Sequence, residues 1–289
     1  MISGIFQARR NGAGRAGVHR SVTSPAQPAV PPGPPVEVAV PRRWLVQEVW
    51  LVFALSLGTS GLRALLHLLD DLTSGTALRH QAAVLNGSQA PGRPWLDLAL
   101  QLTSIAAGLV PVLLAAHLLN RSGESLRTLG LDAGQPRKDL LRGMLLAAVV
   151  GGTGLAFYLV AHASGANLVV VAEDLPAVWW RIPVLVLSAA QNAILEEVLV
   201  AGYLLHRLRQ LGWSDNRALL VSALLRGSYH LYQGFGGFAG NLAMGLVFGR
   251  LYQRWGRVTP LVVAHTLIDV VAFVGYAELA GHVSWLPTG

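Results

Sequence analysis

The sequence predicts an all-α protein, a polytopic transmembrane helical bundle of about seven to eight spans. Three observations predict it. Only 13% of the 289 residues are charged and 53% are hydrophobic, against about a quarter charged in soluble domains. The apolar residues gather repeatedly into runs near the roughly 20 residues that a helix needs to cross a bilayer. The basic residues, all arginine except Lys138, fall between those runs, so the net charge of +7 speaks for membrane topology and against nucleic acid as a partner.

The chain divides by composition. Residues 1–43 are rich in Pro, Gly, Ala and Arg, and the stretch Pro28 to Pro35 suits neither helix nor ladder-forming strand, so this part reads as a disordered tail. It has basic residues but no apolar core and is not a secretory signal. Residues 44–165 hold the first three hydrophobic runs, at 46–68, 96–119 and 140–163. Residues 166–289 hold four more, at 182–206, 217–234, 237–254 and 258–282. The segment 166–181, with Glu173, Asp174, Trp179 and Trp180, reads as interfacial, because tryptophan favours the headgroup level. Arginine counting puts the tail, the 120–142 connection and the ends near Arg207, Arg217, Arg250 and Arg257 on the cytoplasmic side. The expected location is the plasma membrane, multi-pass, with the N-terminus inside.

Charges at membrane depth cost about 2.5–3.5 kcal/mol each on insertion scales and are functional candidates by default. Arg63 and His67, near the end of the first run, can snorkel. The last four runs differ. Glu196 and Glu197 stand in the middle of the fourth, with Gln191 and Asn192 about one turn earlier to orient them. In an α-helix adjacent residues diverge by about 100°, so one glutamate is expected to face a cavity and the other a partner on a neighbouring helix. Arg226 and His230 are i, i+4 on the fifth run, and His265 and Asp269 are i, i+4 on the seventh. Gly236/Gly240 and Gly245/Gly249 on the sixth form two small-xxx-small pairs for close packing, and Asn241 could bond across helices. At about 1.5 Å per residue, Glu196, His230, His265 and Asp269 lie about 12–20 Å from the cytoplasmic edge, and so converge near mid-membrane.

Such a group can activate water. A buried carboxylate can take its proton and an imidazole can orient it or stabilise an oxyanion. Two histidines and a carboxylate could instead hold a divalent metal such as zinc with one open position, which makes His230 and His265 candidate ligands. Cysteine is absent, which excludes thiolate ligands, a thiol nucleophile and disulfides.

The order Glu196-Glu197-x-x-x-x-Gly202-Tyr203, then His230, then His265-x-x-x-Asp269, resembles the CPBP intramembrane proteases, the prenyl-CAAX endopeptidase type II and bacteriocin-processing (Abi) family. The resemblance covers roughly residues 180–280. It implies an intramembrane endopeptidase acting on a membrane-associated peptide or protein substrate in the lipid bilayer. Glu196 then resembles the water-activating base and His230 the histidine that works with it. His265 and Asp269 resemble the motif that stabilises the oxyanion and orders the water or metal, and Glu197 takes a supporting role. Two positions depart from the family pattern: Ala201 stands where the first motif has arginine, and Arg226 where the second has phenylalanine. A charge swapped between adjacent helices would explain both. A proton-relay transporter and a catalytically silent scaffold are the alternatives, since mid-membrane Glu and His also build proton paths.

Overall fold

The computed structural model describes residues 40–287, so the tail assigned to 1–43 lies outside the described residues except for its last four positions. From Arg42 onward the chain is mostly helical. Helices α1 (Arg42–Ala54) and α2 (Leu57–Thr73) form one hydrophobic run bent by 45°. Helices α3 (Pro94–Gly108) and α4 (Val110–Arg121) form the second run, and α5 (Pro136–Ala163) the third. Proline in the first turn opens α3, α4 and α5, where a missing N–H costs no bond.

The fourth run is a single helical rod with a change of pitch. Helix α6 (Arg181–Glu196) widens into a π-helical segment, Glu197–Leu204, and tightens again as α7 (Leu205–Gln210). Helices α8 (Asp215–Ser228), α9 (Phe235–Trp255) and α10 (Thr259–Leu279) follow. All seven hydrophobic runs of the sequence are therefore helical. By length and apolarity, four described helices can cross a membrane, or five with the bent α1–α2 pair. Helix α8 has 14 residues, and the glycine-rich α9 carries Arg250 and Arg254, so neither reaches that standard.

The all-α expectation needs one amendment. Strands β1 (Ala82–Val84) and β2 (Val169–Val171) pair in parallel, Ala82 opposite Val169. Both lie in connections between helices, and three residues each, Ala-Ala-Val and Val-Val-Val, are too few to show a helical or two-residue period. The segment 166–181 also divides. Trp179 is exposed and meets exposed Trp95 at 6.5 Å, as an interfacial pair would, but Trp180 is buried in the core with Leu185 and Phe273. Glu173 is buried as well, paired with Arg181.

The core is built around the π-helical segment, all of whose residues are buried. Val52, Leu119, Phe248 and Leu261 from four other helices pack on it. Helix α8 lies along α9, and α10 lies between α5 and α6. The outward faces are apolar: Trp50, Leu113, Leu145, Val160 and Val271 are all more than half exposed. Apolar side chains facing out over a polar interior identify an integral membrane protein. Asn241 does not bond across helices; its amide donates to the Gly237 carbonyl one turn back.

At one end of the bundle the connection before α5 is clasped to the start of α10. Arg257 pairs with Asp132 at 3.0 Å and with buried Asp139 at 2.6 Å. Gly130 adopts φ +70°, and a Cβ there would meet the Gly256 carbonyl oxygen and Arg257 Cα at 2.4 Å. Gly130→Ala should therefore lower stability by about 2 kcal/mol or more, read as unfolding in detergent. Hydrogen bonds from Arg257 and from the Gly134 N–H hold the Asp132 carboxyl below the usual aspartate range. A lowered pKa means that the clasp stabilises fully above the ordinary aspartate pKa and is lost as pH falls through the lowered one. The unfolding midpoint should fall across that acidic window, and Arg257→Ala should flatten the dependence.

Candidate active site

The sequence-predicted residues come together around one guanidinium. Arg226, on the last turn of α8, is 1% exposed. Its Nη1 donates to Glu197 Oε1 at 2.7 Å, and its Nη2 stands 3.2 Å from Glu196 Oε2. Nη2 is also 3.3 Å from His265 Nδ1, and the guanidinium lies 5.5 Å from the Phe248 ring centre. A guanidinium is a planar fork with donors on several edges, which lets one charge serve two carboxylates.

The two glutamates face different partners, as adjacent helical residues do, although the helix changes pitch between them. Glu197 begins the π-helical segment. Its i→i+5 bonding widens the turn, so successive residues are less far apart around the axis. The Val200 carbonyl within this segment accepts from the Ser222 hydroxyl of α8 at 2.9 Å. Glu197 is fully buried and takes the partner role: Oε1 also faces His265 Nδ1 at 2.9 Å. Glu196 is 9% exposed and takes the cavity role. Gln191 and Asn192 bond neither carboxylate. Tyr229 does instead, its hydroxyl donating to Glu196 Oε2 at 2.9 Å.

His230 is not on a continuous fifth helix. Helix α8 ends at Ser228, and His230 lies in the turn that follows. Its Nδ1 is 3.0 Å from the Arg226 carbonyl oxygen, which can only accept, so Nδ1 carries the proton. Nε2 is then a free acceptor, 4.0 Å from Glu196 Oε1. Asp269 Oδ1 is 3.6 Å from His265 Nε2. Gly245 of α9 permits the close approach of α8: a Cβ there would meet Ala223 Cα at 3.0 Å and Arg226 Cδ at 3.1 Å.

The sequence missed Tyr229; its only signal was adjacency to His230. The sequence also left Arg226 undecided, and the structure makes it the shared countercharge.

A metal was expected at His230 and His265. The described residues able to converge on an ion are Glu196, Glu197 and His265, with ligand atoms within 4.8 Å of one another; His230 is not among them. Glu197 Oε2 is buried without a hydrogen-bond partner, as a ligand atom would be. Yet the guanidinium of Arg226 already stands among these same atoms, and a second cation there would face it at contact distance. With Arg226 in this position the residues do not fit a metal.

The helical bundle thus holds a carboxylate and an imidazole 4.0 Å apart. Residues 178–271 match the family model described as type II CAAX prenyl endopeptidase Rce1-like. That segment is roughly a third of the chain, and through it the chain is similar to this family. No curated protein and no solved structure matches the chain.

Removing the guanidinium alone strands buried Glu197. Arg226→Met should cost about 3–5 kcal/mol. Arg226→Met combined with Glu197→Gln should recover a large part of that loss, which a double-mutant cycle of unfolding in detergent would measure.

Proposed function

We propose that the protein is an intramembrane endopeptidase, cutting a peptide bond of a membrane-associated substrate with water activated by Glu196 and His230. The observation that carries this reading is the 4.0 Å gap between Glu196 Oε1 and His230 Nε2, two acceptors facing one another. A water oxygen at ordinary hydrogen-bond distance from both fits that gap, giving one proton to each and keeping a lone pair for the carbonyl carbon. Glu196 is the general base, fixed by the Tyr229 hydroxyl on its other oxygen. When the water attacks, its proton passes to Glu196 and the carbonyl oxygen becomes an oxyanion. We assign that oxyanion to the side of the site formed by His265 and Asp269. The protonated Glu196 then supplies the proton that the leaving amine requires. Arg226 and Glu197 touch no reacting atom in this scheme and act as positioning residues.

The positive charge beside the carboxylates belongs to Arg226, so this chemistry needs no zinc, and activity should survive exhaustive chelation. A loss of activity on chelation that is restored by zinc, with bound metal in the purified protein, would reject that point. The family match suggests a CAAX-type substrate, and leader-peptide processing is the other use of the same chemistry. The arginine distribution supports a plasma-membrane protein of about seven spans, α8 and α9 included, with its N-terminus cytoplasmic. No feature of the site among the described residues favours a transporter.

The test is cleavage of a membrane-anchored reporter in vesicles. Wild type should cleave it, while Glu196→Gln and His230→Ala should each lose at least about 100-fold. Equal cleavage by all three proteins would reject the reading.

A further inference from the structure

Helix α9 has no cap of its own. Its N-cap residue is Gly234, at φ +99°, and a glycine has no side chain to accept from the first-turn N–H groups. A larger residue does not fit there. A Cβ on Gly234 would meet the Ala166 carbonyl oxygen and Asn167 Cα, each at 3.0 Å, in a backbone conformation that side chains rarely adopt. The cap comes instead from the connection after α5. The Ala166 carbonyl accepts from the Gly236 N–H at 3.2 Å, and Asn167 Oδ1 accepts from the Gly237 N–H at 2.8 Å, 70 residues away in sequence.

Asn167 is 2% exposed, and both ends of its amide are used: Nδ2 donates to the Leu168 carbonyl. The connection that carries it is itself held. The Leu168 N–H donates to the Gln233 carbonyl at 3.0 Å, the Val169 N–H to the Gln81 carbonyl at 2.9 Å, and the Val170 N–H to the Tyr158 hydroxyl at 3.0 Å. Residues 166–168 therefore lie against 233–237, the far side of the turn in which His230 sits. On its near side that turn is tied to α8, where His230 Nδ1 meets the Arg226 carbonyl. On its far side the packing is so close that a Cβ on Gly237 would meet the His230 carbonyl oxygen at 2.8 Å. A shift of Gly237 is thus passed directly to His230.

We propose that Asn167 is a positioning residue for His230: it caps α9 from across the fold and so fixes the turn that sets the imidazole opposite Glu196. The proposal rests on the endopeptidase reading and adds to it a residue from outside the matched segment 178–271. Asn167 touches no reacting atom. Its amide oxygen determines where α9 begins, and the start of α9 determines the path of the turn from Ser228. That path sets the distance of His230 Nε2 from Glu196 Oε1, 4.0 Å in the structure. Without the oxygen the Gly237 N–H is buried and unpaired, and the turn must move to satisfy it. A misplacement of about 1 Å can cost a reaction on the order of 100-fold.

The test uses the full-length protein in phosphatidylcholine vesicles with the membrane-anchored reporter. Asn167→Ala should lower kcat by about tenfold or more while KM stays within about twofold. Asn167→Asp should stay within about threefold of wild type, because its side chain keeps an acceptor at the same reach whether ionised or protonated. A second readout does not depend on cleavage: NMR of isotope-labelled histidine in detergent, with the His230 signal assigned by His230→Gln and recorded where the imidazole is neutral. Wild type and Asn167→Asp should carry the proton on Nδ1, and Asn167→Ala should show a mixture of the two tautomers. A lower unfolding temperature in Asn167→Ala with unchanged kcat and an unchanged His230 signal overturns the proposal, since Asn167 is then structural only. So does a loss confined to KM, or an Asn167→Asp that loses as much kcat as Asn167→Ala. If wild type cleaves nothing, the endopeptidase reading fails on its own, and the histidine signals decide the positioning: a mixture in Asn167→Ala alone supports it, and identical signals in all three proteins overturn it. If Asn167→Ala does not fold, Asn167→Ser, too short to reach Gly237, is read in its place.

Discussion

The structure depends on one buried cation shared by two buried anions. Glu196, Glu197 and Arg226 meet where five helices pack and little water reaches them. An isolated charge there would cost several kcal/mol, and the pairing is tolerable only with close geometry. Several otherwise unrelated features supply that geometry. The π-helical segment brings adjacent glutamates toward one partner, Ser222 satisfies a carbonyl in it, Gly245 lets α9 approach, and Phe248 faces the guanidinium. His265 adds a further contact to Glu197 from α10. Glu197 is thereby fixed, which leaves Glu196 as the carboxylate with an oxygen turned toward His230.

The site's position at a helix end follows from the same packing. Helix α8 ends two residues after Arg226, so the backbone turns where the cation is anchored. The carbonyl of Arg226 then accepts from His230 Nδ1 and so selects the tautomer whose Nε2 is free. One residue thus sets both halves of the Glu196–His230 pair: its side chain holds the glutamates, and its carbonyl orients the imidazole. The arrangement explains how an arginine can occupy a position where the family motif has phenylalanine, with Ala201 in place of the motif arginine.

How much was legible in the sequence follows from the range of each interaction. Seven runs of apolar residues became helices because hydropathy is a local property, and a helix in lipid must satisfy its own backbone. The convergence of Glu196, His230, His265 and Asp269 was readable from depth alone, since axial rise is fixed once a helix is assumed. That assumption also hid what came next. A change from α to π pitch leaves no trace in hydropathy, so the π-helical segment was not read, although the different roles of Glu196 and Glu197 were. The end of α8 at Ser228 was hidden by the apolar Leu231 beyond it. Tyr229 and Trp180 each needed knowledge of which face meets which neighbour. Strands β1 and β2 pair residues 87 apart in sequence, Ala82 with Val169, and three residues each are too few to show a period.

Arginine is the unit from which this interior is assembled. Arg226 ties Glu196 to Glu197, Arg257 ties Asp132 to Asp139, and fully buried Arg207 ties Glu124 at 2.7 Å to Glu48 at 3.4 Å. Each is one guanidinium on two carboxylates, and the second and third draw together segments distant in sequence. Lysine, a compact point charge on a flexible stem, does this poorly, and the chain has one lysine in all.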